Sequence, residues 1–144
     1  MIDTSDLKEG FSLPELRKHI SQDKINSYAE VSKDFNPIHI DEEFARNTPL
    51  GGTIAHGMMI LAYISQMMTG SFGQDWLSDG NLNIRFKASA RPGDTIIVSG
   101  KIRHIKKSDD QTMIACEILC RNRTGEAVIT GEATVRVKND ENNG

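Results

Sequence analysis

From residue 80 onward, apolar and polar positions alternate with a period of two. Leu82, Ile84, Phe86 and Ala88 are interleaved with Asn81, Asn83, Arg85 and Lys87, and Ile96, Val98 and Ile102 with Ser99, Lys101 and Arg103. Residues 111–121 and 129–137 continue the pattern. The connections are short and polar: Arg91-Pro-Gly-Asp94, Lys107-Ser-Asp-Asp110 and Asn122-Arg-Thr-Gly125. Strands patterned in this way have one dry and one wet face, so these four predict an antiparallel sheet. The first half of the chain reads differently. Ile25, Tyr28 and Ala29 give one apolar face to a helix from Gln22 to about Val31, with Ser21 as its N-cap. Pro37 disfavours helical geometry at Asn36, which predicts an irregular loop over Ser32–Ile40. Asp41 caps a short helix through Glu42, Glu43 and Phe44, with its acids in the first turn, and Pro49, Gly51 and Gly52 form another loop.

The segment Ile54 to Met68 contains no Asp, Glu, Lys or Arg. It is shorter than the roughly 20 apolar residues that a bilayer span takes. A helix apolar on nearly every side belongs inside a domain, and Gly70 is its expected stop. The dry face of the sheet is its natural cover. The expectation is an α+β fold, a curved antiparallel sheet wrapped around one long buried helix over 54–69.

Composition narrows the function classes. The 144 residues suit a single domain over 1–144, ordered over about 10–138 with a polar tail, 139–144, expected to fray. With 38% hydrophobic and 26% charged residues the chain is neither disordered nor a membrane protein by composition. A net charge of −3 lacks the basic excess of a nucleic-acid binder. Met1–Gly10 is polar, without the apolar core of a signal peptide, so a cytoplasmic location is expected. Cys116 and Cys120 lie on one strand about 13 Å apart, beyond the roughly 7 Å that a disulfide tolerates. Sharing a face with Ile114 and Ile118, they read as buried free thiols.

Two clusters carry chemistry. Asp34-Phe-Asn-Pro-Ile-His39 holds a carboxylate and an imidazole in a proline-stiffened loop, which is what proton transfer to and from a bound substrate needs. Gly51-Gly-Thr-Ile-Ala-His56-Gly57 puts a glycine at the start of the buried helix, where unpaired N–H groups can hold an oxygen that gains negative charge. Each residue also has a bland reading. Asp34 can bond its own turn, His39 a nearby carbonyl, and Asn36 can start a turn. Gly57 can serve close packing, and Ser65 can bond back to its helix. No Cys/His set has metal-ligand spacing.

Asp34-Phe-Asn-Pro-Ile-His39, then Phe44, then His56-Gly57-Met58 running into an apolar helix, closely resembles the MaoC-like family of (R)-specific enoyl-CoA hydratases and acyl-thioester dehydratases. Phe86 and Arg91-Pro-Gly-Asp94 are similar to a later segment of the same family, and the likeness runs over about residues 10–138. Ala88-Ser-Ala90 departs from it, standing where relatives commonly carry proline and a β-branched residue. The resemblance implies a hot-dog fold and reversible addition of water to a trans-2-enoyl thioester of CoA or acyl carrier protein. It implies Asp34 and His39 as the catalytic acid/base pair and the Gly57 N–H as the group that polarises the thioester carbonyl. Asn36, His56 and Ser65 become support or substrate-binding residues. No metal and no separate cofactor are implied, and the assembly would be a homodimer or a dimer of dimers. Two alternatives are a hot-dog acyl-CoA thioesterase and a non-catalytic acyl-thioester binding subunit. Against the first, 57–70 contains no Asp or Glu; against the second, Asp34, His39 and Gly57 are all present.

Overall fold

All four alternating segments form strands, and a fifth, shorter one joins them. A computed structural model describes residues 1–139. After a short 3-10 turn at Thr4–Asp6 come β1 (Leu16–His19), α1 (Gln22–Ser32), α2 (Pro37–Ile40), α3 (Glu42–Arg46), α4 (Gly57–Phe72) and α5 (Gln74–Asp79). The rest is sheet: β2 (Asn81–Phe86), β3 (Thr95–Lys107), β4 (Gln111–Arg121) and β5 (Ala127–Lys138). The strand order is β1-β3-β4-β5-β2, and every pairing is antiparallel. A register shift between Ile102 and His104 bulges β3 against β4, the kind of kink that increases the local twist of a sheet.

The dry face of this sheet holds Val98, Ile102, Ile114, Cys116, Ile118, Cys120, Ile129, Ala133 and Val135, all buried. Against it lie Ile60, Ile64, Met67, Met68 and Phe72 of α4. Each such side chain contributes about 1.5–3 kcal/mol when fully buried, so the helix–sheet contact is the main store of folding energy. The cysteines are free and buried as their pattern predicts. Burial pushes both thiols up to about 12, with Glu132 adding to the effect at Cys116, so both stay protonated near neutral pH.

Local capping rules account for several ends. Ser21 Oγ accepts from Lys24 N at 3.2 Å to open α1, and Asp41 Oδ1 accepts from Phe44 N at 3.0 Å to open α3. Other details differ from expectation. Part of the loop expected over 32–40 is helical, because Pro37 occupies a first-turn position where its missing N–H costs nothing. The central helix runs over 57–72, not 54–69. Its expected first turn is pulled out straight by tertiary bonds, Ile54 N to Ile38 O at 3.2 Å and Ala55 N to Ala90 O at 2.8 Å. Gly70 stays helical, and the stop is Gly73 at φ 58. The tail is tied down at its start. Lys138 pairs with Gln111, and Thr112 Oγ1 donates to Asn139 Oδ1 at 2.7 Å. The remainder, 140–144, lies outside the described residues. Among the described residues, no helix is long and apolar enough to cross a membrane.

Two glycines make a paired test of this packing. A Cβ on Gly131 would stand 2.7 Å from the Ile84 Cα, where β2 presses on β5, whereas a Cβ on Gly70 would meet nothing within 4 Å. Gly131→Ala is expected to lower stability by about 1–3 kcal/mol, as overpacking does. Gly70→Ala is expected to raise it by about 0.5–1 kcal/mol through helix propensity. Chemical denaturation of the two variants checks both signs.

Candidate active site

The site forms where α2 and the loop before it meet the start of α4. Asp34 sits in an Asx turn: its Oδ1 accepts from Asn36 N at 3.2 Å, and Asn36 Oδ1 accepts in turn from Ile38 N at 3.1 Å, capping α2. The bland reading of Asp34 therefore holds for one of its oxygens. The other, Oδ2, faces His39 Nε2 at 3.9 Å. The Asp34 side chain remains 53% exposed.

The histidine tautomers follow from their partners. His39 Nδ1 lies 2.8 Å from the Ile54 carbonyl, which can only accept, so Nδ1 carries a proton and in the neutral ring Nε2 presents the lone pair. His56 Nε2 lies 2.9 Å from the Asp34 carbonyl and must donate to it. The two rings stack with centroids 3.8 Å apart at 24°, and the Tyr28 ring lies 4.8 Å from that of His56, tilted at 58°. His56 is buried, and its Nδ1 has no partner among the described residues. Such an orphan costs about 1–3 kcal/mol. It marks His56 as held for its bond to the Asp34 backbone and for its stack on His39.

His56 is also the N-cap of α4, and its side chain does not cap the helix. Among the described residues the Gly57 and Met58 N–H groups are left free at the positive end of the dipole, while Met59 N donates to the His56 carbonyl at 3.1 Å. A Cβ at Gly57 would come within 2.8 Å of the Phe86 ring, so the glycine is also demanded by packing. Asp34 Oδ2 and His39 Nε2 are close enough for one water, seated to the side of the line between them, to reach both, and the adjoining helix begins with the open N–H of Gly57.

Asp34, His39 and His56 each offer an atom within 4.8 Å of the others. A tetrahedral metal with bonds of about 2.1 Å needs its ligand atoms about 3.4 Å apart. Stacked rings send their in-plane lone pairs side by side instead of to one point, so the three do not converge on an ion.

Comparison with known proteins agrees with this geometry. Residues 9–119 match the MaoC like domain. The chain belongs to the MaoC-like dehydratase family. It is 33% identical to an (R)-specific enoyl-CoA hydratase of Rhodospirillum rubrum, over 92% of this chain and 89% of that protein. It is 32% identical to a 3-hydroxybutyryl-CoA dehydratase of Methylorubrum extorquens, over 88% and 78% respectively. The crystal structure of a MaoC-like dehydratase from Rhodospirillum rubrum superposes with a TM-score of 0.81 at 25% identity, covering 96% of this chain and 97% of that one. The fold is the hot-dog fold.

Of the residues singled out in the sequence, Asp34, Asn36, His39 and His56 come together, and Gly57 follows His56 at the start of α4. Ser65 does not join them. It lies two turns, about 12 Å, along α4 from Gly57, and its hydroxyl accepts from Trp76 Nε1 at 3.1 Å, tying α5 to α4. The sequence reads Tyr28 only as part of the apolar face of α1 and Phe86 only as a strand position within the family likeness, and it gives the Ile54 carbonyl no part in the site. For that carbonyl the proximity of Ile54 to His56 in the chain is the one signal. Ser65→Ala is expected to cost about 1 kcal/mol by leaving the buried indole N–H unpaired, with kcat close to wild type. Melting temperature and turnover measured on one preparation check this.

Proposed function

We propose that this protein is an (R)-specific 2-enoyl-thioester hydratase, acting in reverse as a 3-hydroxyacyl-thioester dehydratase. The observation that carries the reading is the lone pair of His39 Nε2 facing Asp34 Oδ2 across 3.9 Å, beside the uncapped start of α4. A water held between those two groups attacks C3 of the enoyl thioester. One of its protons passes to the pair, and the pair returns a proton to C2, so the elements of water end across the double bond. Negative charge builds on the thioester oxygen as C3 is attacked, and the Gly57 N–H holds it. Asn36 and His56 keep Asp34 in place. The names of the Rhodospirillum and Methylorubrum relatives support an acyl-CoA substrate and the (R) product.

The active form in this reading is a homodimer or a dimer of dimers. β2 is an edge strand with a free row of backbone groups, and Phe86 at its end and Met58 beside Gly57 are both about half exposed. An edge of this kind beside apolar side chains is normally covered. Light scattering at micromolar concentration is expected to give at least twice the 16.0 kDa of one chain. A fully active monomer refutes the assembly.

Crotonyl-CoA is the test substrate. Loss of its conjugated absorbance, with chiral analysis giving the (R)-3-hydroxyacyl product, is the expected result. Release of free thiol without hydration marks a thioesterase, and an (S) product overturns the stereochemistry. Asp34→Asn and His39→Ala are each expected to lower kcat by about 10²-fold or more. The double variant should lose far less than the product of the two, because residues that act as a unit are not additive. Near wild-type kcat in either folded single variant removes the mechanism.

A further inference from the structure

His39 is held from two sides, and both holds run through one pair of side chains that lie behind it. Its ring is aimed by the Ile54 carbonyl at Nδ1. Its own backbone carbonyl accepts from Gln22 Nε2 at 2.7 Å. Thr53, the residue before Ile54, is 2% exposed, and its hydroxyl donates to Gln22 Oε1 at 2.7 Å. One carboxamide from α1 therefore joins the short helix that carries His39 to the loop that aims it. The orientation of that amide is set by its partners: the His39 carbonyl can only accept, so Nε2 faces it and Oε1 faces the hydroxyl. Glu42 of α3 braces the same loop, accepting from Thr53 N at 3.3 Å. Its Oε2 lies 3.2 Å from Thr53 Oγ1, but a hydroxyl has one proton and the shorter contact to Gln22 takes it.

Neither Gln22 nor Thr53 is among the groups that face the gap between Asp34 and His39. The bond from Gln22 Nε2 ends on the backbone of His39 itself, and Thr53 is chain neighbour to the residue that aims its ring; Gln22 Nε2 also lies 2.9 Å from Asn26 Oδ1 within α1. α2 has only four residues, too few to hold its own geometry. We infer that Gln22 and Thr53 are positioning residues, a clamp that sets His39 Nε2 in register with Asp34 Oδ2. This rests on the reading of His39 as a proton carrier in hydration.

Removing the clamp loosens α2 against the 53–54 loop, leaving only the bonds of Ile54 N to Ile38 O and of His39 Nδ1 to Ile54 O to join them. A displacement of about 1 Å at a reacting group can cost about 10²-fold in rate, and partial loosening is expected to cost about tenfold. Thr53→Val, which keeps shape and loses the hydroxyl, should lower kcat with crotonyl-CoA by that factor and leave KM nearly unchanged. Thr53→Ser should restore it. Gln22→Met should repeat the Thr53→Val effect should that variant fold poorly. The deciding measurement is the Thr53→Val change made in a His39→Ala background. A clamp that acts through His39 has nothing left to position there, so the residual rate should not fall further. Wild-type kcat in folded Thr53→Val overturns the inference. So does an equal loss of rate with and without the His39 imidazole, since that is what a general structural defect produces. A His39→Ala enzyme of full activity refutes the proton-transfer reading itself, which is a separate result.

Discussion

Ile60, Ile64, Met67 and Met68 project from α4 into the hollow of the sheet, where Val98, Ile102, Ile114 and Ile118 are themselves excluded from water. This burial fixes the helix in rotation and in height. One residue of slip turns an α-helix by about 100°, enough to bring Gln66 toward the core and carry Met67 away from it. The first free N–H of α4 is therefore placed by hydrophobic packing several turns away. A donor carried on a rigid element is held more precisely than one on a loop. That suits the role proposed for it, meeting an oxygen only as charge develops there.

The opposing half of the site is built on a different principle. Asp34 and His39 sit in a stretch with little apolar burial, and hydrogen bonds hold it. Asp34 spends one oxygen on its own turn and keeps the other free. His39 spends one ring nitrogen on Ile54, and that single bond decides that the lone pair points at Asp34. His56 bridges the two halves. Its backbone begins α4, its Nε2 holds the Asp34 carbonyl, and its ring lies flat on His39. Packing sets the Gly57 N–H, polar bonds set Asp34 and His39, and one buried imidazole joins the two.

What was legible in the chain follows from how local each cause is. Ser21 and Asp41 act on N–H groups three residues ahead, so their caps could be read directly. The pairing of Asp34 with His39 lies within one short motif, and the strand alternation needs only nearest neighbours. Pro37 was read for its effect on Asn36, which is extended as expected, but its fitness for a helix start was missed. The start of α4 was misplaced because its cause lies at Ala90 and Ile38, far along the chain. β1 has only four residues, Leu-Arg-Lys-His, and takes its register from β3. Ser65 shows the limit of matching residue type alone. A serine on the right helix turned toward Trp76, eleven residues on, because a buried indole N–H needs an acceptor.

The distribution of exposed apolar side chains adds a constraint that neither half of the site explains. Val31, Phe35, Ile40, Phe44, Met58 and Phe86 are all exposed, and they sit on segments that frame Asp34, His39 and Gly57. Hydrogen bonds from an N–H to a developing oxyanion are strongest where water is kept out. A carboxylate that is 53% exposed is not yet in such a place. In the proposed assembly the same apolar rim that seats a second copy would also dry the site, so assembly and catalysis would share one surface. A polar replacement at Met58 or Phe86 would then act twice, loosening the association and raising the local dielectric around the Gly57 N–H. On that proposal the rim would be the part of the molecule where stability of the assembly and turnover could not be altered separately.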